Sequence, residues 1–320
     1  MFAKFARRGW IAFLFVIAGC DQRQADLSHG PADPAAQSHR FSGDYPIQAV
    51  ATTGMVADLV ERVGGEHVSV TQLMGEGIDP HLYKASPGDV AQLNRADMVF
   101  YSGLHLEGKM GDVLARMGRK KPAVAVAEGI DKGRLLEVAE DLYDPHVWFD
   151  VALWSETLAA VETALAGFDP AHAADYRRQA EAYRAELAEL DEECKRRIAE
   201  IPADHRVLVT AHDAFHYFGR AYGVEVKAIQ GISTQAEAGI KKINELVDFI
   251  AARGIKAVFV ETSVNERNIE ALVEGCRAQG HAVKVGGQLF SDAMGKPGTP
   301  EGTYVGMVRH NVEAIVKALE

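Results

Sequence analysis

The sequence predicts an α/β protein in which two βα lobes with parallel sheets are joined by one long rigid helix, leaving a cleft between the lobes. Its 320 residues exceed the roughly 150 of a typical domain, so two compact units are expected. Short apolar runs of strand length alternate with helical periods, which is typical of parallel sheets with helices on both faces. A single long helical period separates two such series.

Composition and charge narrow the class of ligand. Hydrophobic residues make up 48% of the chain and charged residues 25%, as in ordinary globular proteins. The net charge of −11 argues against binding nucleic acid or an anionic membrane surface. A cationic ligand suits this charge better.

The first 19 residues are predicted to be a lipoprotein signal peptide. Lys4, Arg7 and Arg8 precede an apolar run at 10–18 that is too short to span a bilayer. The run ends in IAGC, which resembles the bacterial lipobox, where the cysteine is lipidated and becomes the new N-terminus. We therefore expect a protein anchored through Cys20 on the outer side of the cytoplasmic membrane, periplasmic or at the cell surface. The alternative is a plain apolar signal with an incidental cysteine.

The lobes are predicted from the order of strands and helices. Residues 20–44 are polar, contain Pro, Gly and Ser, and are predicted to be a flexible tether, followed by an N-terminal lobe at 45–168. Its predicted strands are Ile47–Thr52, Val68–Leu73, Met98–Tyr101 and Ala123–Val126.

A linking helix is predicted at 169–203. Asp169-Pro170 has the pattern of a helix start, and apolar or small residues recur every three or four positions from Tyr176 to Ile201. One face of this helix should therefore be buried along its whole length.

The C-terminal lobe is predicted at 204–320. Its predicted strands are Val207–Thr210, Val224–Ile229, Ala257–Glu261 and Ala282–Val285. Cys194 and Cys276 lie in helical stretches far apart, and they are either buried free thiols or a disulfide. Ligands of open α/β sheets usually bind beyond the carboxyl ends of the strands, which places the expected site in the cleft between the lobes.

Four residues next to predicted strand or helix ends could bind a metal ion. His81 lies in GIDPH, His146 in DPHVW, His212 in TAHD and Asp292 in FSD, two in each lobe. Three imidazoles and one carboxylate suit Zn²⁺ and are also open to Mn²⁺. Taken singly, a loop histidine is more often a hydrogen-bonded surface residue than a metal ligand.

Several longer motifs carry a family resemblance. They are GIDPHLYKASPGDV, GLHLEGKM, YDPHVWFDV, LVTAHDAFHYFGRAYG, QGISTQAEAG, VFVETSV and LFSDAMG. Together, from about Ile47 to Ala318, they resemble the cluster A-I (cluster 9) solute-binding lipoproteins of ABC importers, the TroA-like zinc and manganese family. The resemblance implies a monomeric extracytoplasmic receptor that captures one Zn²⁺ or Mn²⁺ ion and delivers it to the permease and ATPase subunits of an importer. By motif position, the metal ligands would be His81, His146, His212 and Asp292.

The resemblance leaves the physiological metal open. Manganese specialists of the family carry Glu at the third ligand, so His212 favours zinc. Zinc specialists carry a His-rich loop between the first two ligands, whereas 117–144 contains acids but no histidine.

Three further residues could line the pocket. His216 follows His212 by four positions, a spacing that would place it one helical turn inward, beside the ligands. Glu261 ends a predicted strand, and His105 lies in GLHLEGKM. His216 is expected to pack beside the ligands or support them. Glu261 and His105 are candidates to line the pocket and less favoured as metal ligands.

Two other functions compete with metal delivery. An adhesin of the same fold would need an exposed patch but no intact metal site. A zinc hydrolase would need an open coordination position, which Asp292 would fill, and the chain has no GxSxG, P-loop or GxGxxG motif. The chain is therefore predicted not to be an enzyme.

Overall fold

The computed structural model describes residues 40–235 and 239–320. The predicted signal peptide, Cys20 and the tether up to residue 39 lie outside the described residues. At the start of the described chain, the backbone N–H of Phe41 donates to the carbonyl of Phe168 at 2.7 Å. The last residues of the predicted tether therefore already contact the folded unit.

A four-stranded parallel sheet forms the first half of the fold, by which we mean the elements that precede the long helix. Its strands are β1 (Ile47–Ala51), β2 (Val68–Gln72), β3 (Met98–Tyr101) and β4 (Ala123–Ala125). They are ordered β2-β1-β3-β4, and every neighbouring pair is parallel, which confirms the predicted parallel sheet.

Helices cover both faces of this sheet. They are α1 (Gly54–Gly64), α2 (Pro87–Arg95) and α3 (Gly111–Gly118). The start of α2 is set locally, because Ser86 and Asp89 form a reciprocal capping box and Pro87 occupies the first helical position. Local capping therefore fixes the start of α2 at Pro87.

A short hairpin and two helices lead out of this half. The antiparallel strands β5 (Glu137–Ala139) and β6 (Leu142–Tyr143) precede α4 (Val151–Trp154) and α5 (Leu158–Phe168). The sequence did not predict the hairpin, because β5 is exposed throughout and shows no alternation of apolar and polar residues.

The long helix is α6 (Ala173–Ala199), preceded by a 3₁₀ turn at Pro170–His172. Its 27 residues span roughly 40 Å. The buried apolar or small residues follow the predicted period: Tyr176, Ala180, Tyr183, Leu187, Leu190, Cys194 and Ile198. The predicted long helix with one buried face is therefore confirmed.

Two parallel strand pairs form the second half of the fold. The strands are β7 (Val207–Thr210), β8 (Glu225–Ala228), β9 (Ala257–Glu261) and β10 (Lys284–Leu289). The helices are α7 (His216–Tyr222), α8 (Ile240–Arg253), α9 (Arg267–Ala278) and α10 (Tyr304–Leu319). β7 pairs with β8 and β9 with β10, and β7 lies beside β9.

The last predicted strand was placed wrongly. It was expected at Ala282–Val285, but β10 continues to Leu289 through two glycines with a register shift. A Cβ on Gly286 would lie 2.7 Å from the Cβ of Ala318. Helix α10 therefore packs against β10 at Gly286, where the strand carries no side chain. This packing, and not local strand propensity, keeps the glycines in the sheet.

Cys194 and Cys276 are free and buried. Burial raises the pKa of the Cys194 thiol to about 12, so the thiol is unreactive at neutral pH. The free-thiol prediction is confirmed and the disulfide alternative is wrong. Within the described residues, no helix combines the length and apolarity needed to cross a membrane.

Candidate metal centre

Four loops bring the predicted ligands to one point. His81 lies in the irregular segment after β2, His212 follows β7 by two residues, and Asp292 follows β10 by three. His146 immediately precedes a 3₁₀ turn at Val147–Phe149. The site therefore combines two residues from before α6 with two from after it.

The donor atoms of the four residues all lie within 4.8 Å of one another, and the residues are buried. The Nε2 atoms of His81 and His146 are 3.3 Å apart. Nε2 of His146 lies 3.3 Å from Oδ1 of Asp292, and Nε2 of His212 lies 3.2 Å from Oδ2. Tetrahedral Zn²⁺ with bonds of about 2.0–2.1 Å separates its donors by about 3.3 Å, so these spacings fit a bound ion.

The site holds polar atoms without hydrogen-bond partners. Within the described residues, no donor reaches either carboxylate oxygen of Asp292 in hydrogen-bond geometry. Nε2 of His212 also has no hydrogen-bond partner there. Buried carboxylates left in this way cost free energy unless a charge compensates them. A divalent cation at the centre would satisfy these atoms together.

Carboxylates behind two of the imidazoles set their orientation. Nδ1 of His146 lies 2.6 Å from Oδ1 of Asp144, and Nδ1 of His212 lies 2.5 Å from Oε2 of Glu261. The backbone N–H of His212 also donates to Oε1 of Glu261 at 2.9 Å. A carboxylate on Nδ1 leaves Nε2 to face an ion and raises the basicity of the ring.

The same carboxylates raise the pKa values of these two histidines. Burial lowers the pKa of His146, but the charges of Asp144 and Asp292 outweigh burial and raise it to about 9. Burial also lowers the pKa of His212, yet Asp292 and Glu261 together raise it well above its usual range. Both rings therefore bind a proton strongly when no cation is present.

The remaining two residues respond in the opposite direction. Burial is the largest influence on His81 and lowers its pKa to about 4, because the attraction of Asp292 only partly offsets it. Burial raises the pKa of Asp292, but the imidazoles of His212 and His146 outweigh burial and hold it well below its usual range. The carboxylate is thus ionised and His81 is neutral at pH 7.

Known proteins resemble this chain over most of its length. The family model for the periplasmic zinc-uptake complex component A, ZnuA, matches residues 49–318. This chain belongs to the ZnuA family.

Three similar proteins and structures match most of the chain. The manganese-binding lipoprotein MntA of Bacillus subtilis (strain 168) is 52% identical over 280 residues, which cover 87% of this chain and 92% of MntA. The zinc-binding protein TroA of Treponema pallidum (strain Nichols) is 49% identical over 270 residues, which cover 84% of this chain and 88% of TroA. The solved structure of the periplasmic zinc-binding protein TroA from Treponema pallidum superposes with a TM-score of 0.84 at 48% identity, covering 86% of this chain and 99% of TroA.

Among the described residues, His216 and His105, which were predicted to support the site, form no hydrogen bond or ion pair with the four residues of the candidate centre. The charges of Asp144 and His146 nonetheless act on His216. His216 was expected one helical turn inward from His212, but α7 begins at His216, so the two do not share a helix face. Its Nε2 lies 2.8 Å from Oδ1 of Asp213, and its side chain is 41% exposed. His105 is exposed and lies in a turn in which Gly103, Leu104 and His105 all have positive φ.

Three other residues contact the ligands or their loops, and the sequence pointed to only some of them. Glu261 lies beside His212, as expected of a residue at a strand end. Asp144 was not singled out, although its position two residues before His146 in DPH was a usable signal. Trp148 is buried, and its Nε1 donates to the carbonyl of Ser291 at 3.1 Å. This bond ties the His146 loop to the Asp292 loop.

Proposed function

We propose that this chain captures one Zn²⁺ or Mn²⁺ ion outside the cytoplasm and delivers it to the permease of an ABC importer. The observation that carries the proposal is the buried group of His81, His146, His212 and Asp292, whose donor atoms lie within 4.8 Å of one another. The names of the relatives, a manganese-binding lipoprotein and a zinc-binding protein, support the same cargo.

Binding suits this site better than catalysis. A hydrolytic zinc ion keeps an open position for water beside three protein ligands. Here four donors converge, and Asp292 takes the place that water would need. The ion is accordingly the cargo and not a reagent.

Membrane attachment through Cys20 is part of the proposal. It is supported by the lipobox-like sequence and by the lipoprotein names of relatives such as MntA. Expression in a bacterial host with radiolabelled palmitate should give a labelled protein, and Cys20→Ser should abolish the label. Labelling that persists in Cys20→Ser would refute this anchor.

Metal analysis tests the proposed cargo. Protein purified without added metal should contain zinc or manganese, and metal-free protein should take up one ion per chain by calorimetry. Competition between the two ions then identifies the one bound more tightly. A chain that takes up neither ion would refute the proposal.

Alanine variants test the proposed ligands. Each of His81→Ala, His146→Ala, His212→Ala and Asp292→Ala should weaken binding by more than the roughly 10–100-fold that loss of a hydrogen-bonded partner costs. His205→Ala is the matched control, because its ring contacts the carbonyl of Leu319, away from the site. Unchanged binding in any two of the four variants would remove this site.

A further inference from the structure

The four donors are not held equally. Behind His146 and His212 lie the buried carboxylates of Asp144 and Glu261. Asp292 follows Ser291, whose carbonyl accepts the bond from the buried Trp148. These three donors therefore belong to one buried network.

Helix α7 extends this network from the second half of the fold. The hydroxyl of Tyr217 donates to the carbonyl of Asp144 at 2.9 Å and accepts from the backbone N–H of Leu136 at 3.0 Å. Tyr217 is buried. The His146 loop is thus fixed on the same body as His212 and Asp292.

His81 is held differently. No carboxylate among the described residues pairs with its Nδ1, and its segment at 73–86 forms neither helix nor strand. Its backbone N–H donates to Oδ1 of Asp79 at 2.8 Å. Ile78 and Leu82, on either side of it, are 38% and 43% exposed. The His81 loop is therefore at the surface, although its imidazole is buried.

Two hydrogen bonds join the His81 loop to the second half of the fold. The hydroxyl of Thr234 donates to Oδ2 of Asp79 at 2.5 Å, and Nε2 of Gln235 donates to the carbonyl of His81 at 3.3 Å. Asp79 thus connects the two sides, with one oxygen on the backbone of His81 and the other on Thr234. Gln235 is exposed, so its bond can exchange with water.

We propose that Thr234 and Gln235 form a latch that positions His81 over the ion and limits how fast the ion leaves. When the latch opens, the His81 loop moves away, while His146, His212 and Asp292 stay in place. Breaking these two partly buried hydrogen bonds requires less free energy than dismantling a network of several buried ones. The latch rests on the proposed function, because it acts on the same ion.

Release and capture rates of Zn²⁺ test the latch. Zinc-loaded protein is mixed rapidly with excess EDTA, and capture is measured separately with metal-free protein. Thr234→Ala should release zinc at least about tenfold faster, because it removes a hydrogen bond to a charged carboxylate, and its capture rate should not change. Thr234→Ser should restore the slow release.

Two further variants keep the test decisive. Gln235→Ala, at an exposed position, should speed release about threefold and gives a result even if Thr234→Ala does not fold. Thr299→Ala is the matched control, because its hydroxyl makes a local bond to the carbonyl of Lys296 at an exposed site. Its release rate should equal that of the unmodified protein.

The outcomes separate the latch from the site. Wild-type release rates in Thr234→Ala and Gln235→Ala would overturn the latch, provided that zinc binds and His212→Ala abolishes binding. Equal changes in capture and release, or no rescue by Thr234→Ser, would also overturn it. An unmodified chain that binds no zinc would overturn the proposed function and the latch with it.

Discussion

Carboxylates behind two of the three imidazoles, those of His146 and His212, set how strongly these rings bind an ion. Glu261 accepts two hydrogen bonds from His212, one from the backbone and one from Nδ1. A glutamine there has only one acceptor oxygen, so one of these bonds is lost. Glu261→Gln should lower the zinc affinity by about 10–100-fold, measured by competition with a chelator.

The control for this substitution is Glu245→Gln, at an exposed position on α8. It makes the same chemical change away from the site and should leave the affinity as it is. If Glu261→Gln bound zinc as tightly as this control, Glu261 would not support the ligand.

Protons should compete with the ion at two of the three histidines. At pH 7 the metal-free protein holds a proton on His146, whose pKa is about 9, and on His212, whose pKa is also raised, but not on His81, whose pKa is about 4. Binding therefore displaces about two protons at pH 7. The apparent affinity should therefore fall as the pH decreases, by up to about a hundredfold per pH unit where both rings carry a proton in the metal-free protein.

The raised pKa values of His146 and His212 determine how the metal affinity depends on pH. Raised pKa values extend proton competition upward, so affinity should continue to increase above pH 7 as the pH approaches about 9, the pKa of His146. Calorimetry at pH 7 in buffers of different ionisation enthalpy counts the released protons. Release of no protons would mean that both rings are already neutral in the free protein.

Among the elements, α6 should contribute most through its buried face. Leu187 is fully buried in the main core. Leu187→Ala should lower the free energy of unfolding of the metal-free protein by about 2–5 kcal/mol, through lost burial and the cavity left behind. Urea denaturation measures this change.

The neighbouring exposed position provides the comparison. Glu189→Ala, on the solvent face of the same helix, should change the free energy of unfolding by no more than about 0.5 kcal/mol. Equal effects at Leu187 and Glu189 would contradict the assignment of one buried face.

Sequence patterns predicted the elements that depend on local periodicity. Strands β3, β7 and β9 have the predicted bounds, and the stripe along α6 is buried where the period placed it. The second half of β10 escaped prediction, because its glycines are kept in the sheet by packing against α10. The lobe boundaries at 45–168, 169–203 and 204–320 stay predictions.

In the candidate site too, local patterns predicted some features, whereas contacts between distant segments could not be predicted. The four donors could be proposed from their motifs, since each lies near the end of an element. His216 was misplaced because its role depended on where α7 begins. The bond between Asp79 and Thr234 joins residues 155 positions apart, and no local pattern encodes such a pairing.

At the scale of the whole molecule, α6 should limit movement between the two halves. It packs against α1 and α5 before it in the chain and against α10 after it. A continuous helix offers no hinge of the kind that allows large domain closure. Ion release through the His81 loop would need only a local change.

Solution X-ray scattering measures this restriction directly. The radius of gyration should be nearly the same for metal-free and zinc-loaded protein. A radius of gyration that differed by several ångströms between the two forms would show a domain closure. Such a closure would contradict the role given to α6, whose 27 residues span roughly 40 Å.

The central claim is that one divalent ion binds between His81, His146, His212 and Asp292. Anomalous diffraction from crystals of the zinc-loaded protein, recorded on both sides of the zinc absorption edge, tests it most directly. We predict one strong peak per chain, about 2.0–2.2 Å from the Nε2 atom of each histidine and from a carboxylate oxygen of Asp292. A principal peak elsewhere on the chain, or no peak from zinc-loaded crystals, would contradict it.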